Sequence, residues 1–328
     1  MNAKLQNLAQ LFARNVDALR GDFVWHEAAA KRLAALVYTL DGKEIDIEAI
    51  RNSHNLMKNN VGVFSTFRGN MAIFIASALS LAENPAKLLE NTLQVYDMLK
   101  QEGFWSNDYL VVTAFEIAAN STDYAGTVQR AMEFYKEMKA NHRWHIGQPD
   151  YIFAAMMALS ELEPHAGAVK MKLIFQQIRS EFSRWMGKNS QLTLAQMMTL
   201  GGSTEYCAAN LAHLNRTLRQ RKIRLDKTYT LPSLGVLGLL DTPHHTMADE
   251  IIATEQFLRA QKGLGHWSVT QQELLLYVVS LIASSHATET DSMVKAGIAT
   301  SVTNLIIAQQ VALIVTMSVV TTAAASSS

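Results

Sequence analysis

An aromatic landmark recurs along this chain at a nearly constant interval, and that period limits the fold more than any other feature. Trp105, Trp144, Trp185 and Trp267 fall on it, with Leu225 where another Trp would stand, at separations of 39, 41, 40 and 42 residues. Self-similarity at such a period marks arrays of supersecondary units, each unable to bury its apolar face alone. The content between landmarks repeats as well. Each interval holds a short polar turn, an apolar helix, a small loop and an amphipathic helix.

In the interval after Trp144, Pro149 stands at a natural first helical position, and Tyr151 to Leu159 is apolar almost all round. Such a helix must be buried on every side. The next one places Val169, Leu173, Ile178 and Phe182 on one stripe, with Lys170, Lys172, Arg179 and Glu181 elsewhere, so it faces water on its far side. The same pairing recurs from Met71, from Tyr109, from Leu192 and from Pro232, and a further inner helix runs from Thr270 to Ala283. Inner helices apolar all round and outer helices amphipathic require two layers. The chain is therefore expected to be all-α, with tandem two-helix repeats of about 40 residues forming an α/α toroid-like array. An open α-solenoid is the alternative.

Five full pairs and a sixth inner helix make six units if the uncharged helix after Lys295 completes the last. Residues 1–66 read as about three helices, one bearing Trp25, Leu33, Leu36 and Val37, and are expected to cap the first repeat. No Pro-, Gly- or Ser-rich linker divides the chain. A single domain is expected over 1–328, with a cap at 1–66, repeats at 67–283, and a C-terminal apolar helix and Ala/Ser tail at 284–328.

Lys+Arg and Asp+Glu are equal at 29 each, so no global field favours a polyanion and nucleic acid is not an expected partner. The basic run Arg216, Arg219, Arg221, Lys222, Arg224 and Lys227 sits late on an amphipathic helix, where cations suit the C-terminal dipole. Cys207 is the only cysteine, which excludes an intrachain disulfide and a cysteine-based zinc cluster and favours a reducing, cytoplasmic setting. The first 21 residues break up their apolar positions with Asn, Gln and Arg and read as an amphipathic helix in place of a signal peptide. From Ala296 onward no residue is charged, and Ile298 to Val320 is long enough to span a bilayer. Lipid would leave the amides of Asn304, Gln309 and Gln310 unpaired, so burial against protein is expected, with a membrane contact through residues 298–320 the lesser alternative.

The polar turn before each inner helix falls at an equivalent place, so its side chains should converge on one rim. Arg68, Asp108, His145, Asp150 and Glu273 are the candidate ligand-binding residues there. Capping of orphan amides explains many Asp, Asn, Ser and Thr residues in these turns, but it does not explain Arg68 or His145. Asp108, Asp150 and Glu273 offer carboxylates for acid and base work, although spacing by one repeat does not make them face one another. The sets His142, His145, Asp150 and His244, His245, Asp249 match no recognised ligand spacing, so no metal is expected. No G-x-S-x-G elbow, P-loop or dinucleotide fingerprint occurs, and no cofactor is expected. The Trp residues, equivalently placed in each repeat, are expected to wedge neighbouring pairs together.

Two segments carry a family resemblance: Asn59-Asn60-Val61-Gly62-Val63-Phe64-Ser65-Thr66-Phe67-Arg68-Gly69 and Arg143-Trp144-His145-Ile146-Gly147-Gln148-Pro149-Asp150-Tyr151. With the Ala/Ser ending, the chain resembles over its whole length an uncharacterised bacterial family, the domain of unknown function number four thousand and three. The resemblance implies a bacterial, cytosolic protein and brings no activity, substrate or catalytic residue. From the residues themselves, two functions follow. One is a scaffold that binds a protein or peptide partner on the helical array. The other is an enzyme or small-molecule binder with a pocket at the rim of the inner helices.

Overall fold

The apolar runs and the amphipathic runs fold as the two kinds of helix their patterns require. In the computed structural model, which describes residues 1–143, 145–182, 187–201 and 207–286, helices alternate strictly between the layers. The inner layer holds α2 (Ala28–Leu40), α4 (Ala72–Leu81), α6 (Asp108–Asn120), α8 (Tyr151–Leu159), α10 (Lys188–Leu200), α12 (Leu231–Gly238) and α14 (Gln271–His286). The outer layer holds α1 (Ala3–Ala18), α3 (Ile47–Asn60), α5 (Pro85–Gln101), α7 (Tyr124–Asn141), α9 (Pro164–Glu181), α11 (Cys207–Gln220) and α13 (His244–Arg259). Each outer helix packs on the inner helix that follows it, and contacts link the outer helices in order from α3 to α13 and then α13 to α1.

Local chemistry sets the helix starts. Asn2, Asp46, Asn84, Asp123 and Asn107 each accept a hydrogen bond from a first-turn amide, and Pro85 and Pro164 occupy first helical positions. The inner helices bury hydroxyls at no polar cost. Thr39, Ser77, Thr113, Thr199 and Ser280 each donate to the carbonyl four residues back. Among outer helices, α11 buries Cys207, Leu211, Leu214 and Leu218 as its stripe predicts. On α9 the buried face is rotated from the expected one. Ala168, Met171, Ile174, Phe175 and Ile178 are inside while Val169 and Leu173 are exposed, because Gly167 brings α9 against the Phe134 ring of α7.

Close approach also governs α12. A Cβ on Gly235 would stand 2.7 Å from Leu194 Cδ1, with Met197 and Met198 also in contact range. Gly235→Val therefore overpacks the α10–α12 contact and is expected to cost about 1–3 kcal/mol in urea unfolding.

The two ends of the array meet. α14 packs on α1 and α2, and α13 on α1. The Phe12 and Tyr277 rings lie 5.2 Å apart, Asn2 Nδ2 donates to Glu250 Oε1 at 3.2 Å, and Arg32 pairs with Glu273 at 2.8 Å across 241 positions of sequence. Residues 1–66 thus do more than cap the first repeat. α2 and α3 form a pair of the common kind, and α1 takes the outer place beside α14 that the sequence pattern assigned to the segment after Lys295. The described residues hold five helix pairs, from α4 with α5 to α12 with α13, a sixth inner helix α14 and, before them, the three helices α1, α2 and α3. Residues 287–328, including the uncharged run 298–320, lie outside the described residues. Among the described residues no helix is long and apolar enough to cross a membrane.

Candidate functional site

The turns that precede the inner helices lie at one end of the array, and the five rim residues divide among three places on it. Arg68 ends a single 3-10 turn, where its Nη2 donates to the carbonyls of Lys58 at 2.6 Å and Val61 at 3.3 Å. It thereby satisfies orphan carbonyls at the end of α3. Asp108 opens α6 and lies against Gly69, the residue after Arg68. A Cβ there would meet Asp108 Oδ1 at 2.6 Å, which explains the glycine. Burial and the nearby Glu27 push the Asp108 carboxyl up from its ordinary value.

The second place joins α8 to α10. His145 Nδ1 shares a hydrogen bond of 3.0 Å with Asn189 Oδ1. Asp150 is buried and accepts from the Gly147 amide and from Gln196 Nε2, both at 2.7 Å. Burial drives its carboxyl up to about 6 despite those bonds. At the third place, buried Glu273 accepts from Arg32 Nε at 2.8 Å and from the Tyr277 hydroxyl at 3.0 Å. Each of the three carboxylates is thus tied to a different neighbour. Arg32, Gln196 and Tyr277, the partners that hold Asp150 and Glu273, carry no mark in the sequence that separates them from other helical residues.

The aromatic landmarks do not wedge the pairs together where they are described. Trp105 is 73 % exposed and Trp267 fully exposed; only Leu225, the aliphatic member of the series, is buried. Trp144 and Trp185 lie outside the described residues. Trp25, expected on a helix, stands in the turn before α2 at 96 % exposure, and Phe64, in the turn before α4, is fully exposed. Val24 and Val63 beside them are exposed as well.

These turns are neighbours where the two ends of the array meet. Gly263 packs on Val16 and Arg20, which sets the Trp267 turn against the one carrying Trp25. That turn in turn lies on α3, through Arg51 Nη2 to Asp22 Oδ1 at 3.1 Å and through the His26 and His54 rings 5.2 Å apart. Tyr96 then ties the Phe64 turn to the Trp105 turn, its hydroxyl sharing hydrogen bonds with Thr66 at 2.7 Å and Ser106 at 2.5 Å. Four adjacent turns therefore present one arc of large apolar side chains. A Trp or Phe inside a polar turn, with no partner at helical spacing, is the signal that could have marked it. Burial lowers His26, and burial with the Lys58 charge lowers His54 to about 4, so both rings under the arc are neutral at pH 7.

Two cavities flank the layers. One, of about 270 Å³, lies at the ring joint and is lined by Arg20, Lys31 and Arg32 with Ala28 and Ser268. The other, of about 620 Å³, is open to solvent and is lined by His213, His244, His245 and Asp241. His213 Nδ1 and His244 Nδ1 stand 2.8 Å apart, while Asp249 pairs with Arg221 and His142 packs edge-on to Phe175. Among the described residues no group of three or more His, Cys, Asp or Glu is placed to hold a metal ion.

No curated protein and no solved structure matches the chain. The family model described as a protein of unknown function (DUF4003) matches residues 15–311, which takes in all four turns of the aromatic arc and all five rim residues. The chain belongs to that family.

Proposed function

We propose that this protein is a non-catalytic scaffold of the bacterial cytoplasm, an α/α toroid whose aromatic rim binds a protein or peptide partner. The observation that carries the reading is the exposure of Trp25, Phe64, Trp105 and Trp267 on four adjacent turns. Large apolar side chains gathered on neighbouring turns and left in water favour a surface that another molecule covers, and Trp and aromatic anchors dominate binding energy at such surfaces. The division of Arg68, Asp108, His145, Asp150 and Glu273 among three separate places favours a scaffold over one rim pocket for a small molecule. The toroid reading is supported by the packing of α1 and α2 on α14, and the cytoplasmic one by a lone, buried Cys207.

The test is site-specific photocrosslinking in living bacteria, with benzoylphenylalanine replacing Phe64, Trp267 or, as an exposed apolar position on outer helix α9, Leu173. The same discrete crosslinked species from Phe64 and Trp267, lost when Trp25 and Trp105 are both changed to Ser, is the expected result. Absence of that species, or equal yield from Leu173, would overturn the reading.

A further inference from the structure

We propose that the cavity at the ring joint is a binding site for a small oxyanion, phosphate or carboxylate, held by Arg20, Lys31 and Arg32. The site is independent of the rim partner.

Three cations line this cavity and no acidic residue does. Lys31 is the centre of the case. Its ammonium donates to the carbonyls of Arg20 at 3.2 Å and Asp22 at 3.1 Å, which fixes its position, and among the described residues it forms no ion pair within salt-bridge distance, the Asp22 carboxylate acting on its charge from farther off. An ammonium has three donors, so one remains to point at a ligand. Arg32 spends two of its nitrogens on a single oxygen of Glu273 and so keeps further donors on its planar fork. Gly263, at φ +77°, lets the preceding loop close onto the aliphatic stem of Arg20, whose Cδ would lie 3.0 Å from a Cβ there. Arg20 is thereby held at the cavity wall, with its head paired to exposed Asp17.

The backbone adds to the same field. Ala28 begins α2 and lines the cavity. The positive end of the helix dipole therefore lies beside the cations. Burial pushes the Lys31 ammonium down from its usual value and Arg32 adds to that, against the opposing pull of Asp22. An anion in the cavity relieves that cost.

The experiment is thermal unfolding of the full chain titrated with inorganic phosphate and, separately, with glutarate, each against sodium chloride at matched ionic strength. Saturable stabilisation of about 2–4 °C at tenfold excess over Kd is expected from at least one anion. Phosphate alone identifies a phosphoryl ligand and glutarate alone a carboxylate ligand. Lys31→Met should abolish the shift while Lys31→Arg keeps it. Ser268→Asp, which leaves every cation in place and puts a negative charge at the cavity, should abolish it too, so a folding defect in one variant does not decide the outcome. A shift that chloride reproduces, that survives in both Lys31→Met and Ser268→Asp, or that appears with neither anion overturns the site.

Discussion

Arg32→Met is expected to destabilise the protein by about 3–5 kcal/mol, because it leaves Glu273 as an unpaired charge in the ring joint. Both side chains of the pair are only 10 % exposed. With Arg32 gone, the Tyr277 hydroxyl is the one remaining described donor to Glu273 Oε1. The pair also joins α2 to α14, so the loss falls on the contact that brings the ends of the array together. The double variant Arg32→Met/Glu273→Leu removes both charges and should recover most of the stability, since apolar replacement of a buried pair is often neutral or better. Urea unfolding of the wild type, both single variants and the double variant closes the cycle. Equal loss in the single and double variants would show that packing at the joint, and not the charge pair, holds it.

Glu116→Gln is expected to change the pH profile of stability strongly. Glu116 lies inside α6 with a described partner in the Asn120 side chain, which donates to Oε2 at 3.2 Å. Burial, with no cation to offset it, raises its carboxyl from 4.5 to about 7. The folded state therefore binds the proton more tightly than the unfolded state. The stability this contributes is fully present below pH 4.5 and is lost as pH rises through about 7. A shift of that size amounts to about 3 kcal/mol above neutrality. Glutamine keeps an acceptor for Asn120 and carries no charge. The variant should match the wild type near pH 4 and exceed it by up to that amount at pH 8, read from thermal or urea unfolding across the range. Parallel profiles for the two proteins would refute the assignment.

The buried Asp150, raised to about 6, works in the same direction over a slightly lower window. Its neighbour Gln196 stands 46 residues on, beyond the reach of any local pattern. In the sequence Asp150 reads as an ordinary acidic residue at a helix start, and only the arrival of α10 beside α8 makes it a buried, hydrogen-bonded group. Arg68 shows the reverse. Its lack of a capping role marked it as unusual, yet its guanidinium closes the carbonyl end of α3, a job that any two consecutive helices can create.

Local physics determined a great deal from the sequence alone. Side chains three and four residues apart share a helix face, so the apolar runs from Met71, Tyr109, Tyr151, Leu192, Pro232 and Thr270 declared an inner layer before any partner was known. The period of about 40 residues then declared tandem pairs. What it left open depends on where chain segments meet. The landmark spacing places an indole in a turn but leaves its direction undetermined, so Trp105 and Trp267 read as wedges although they face water. The meeting of the two ends of the array rests on α1 beside α14 and on Arg32 reaching Glu273 across 241 positions. Such contacts are free-energy terms of the assembled array, in which many packed pairs set the curvature together, and no stretch of sequence carries them by itself.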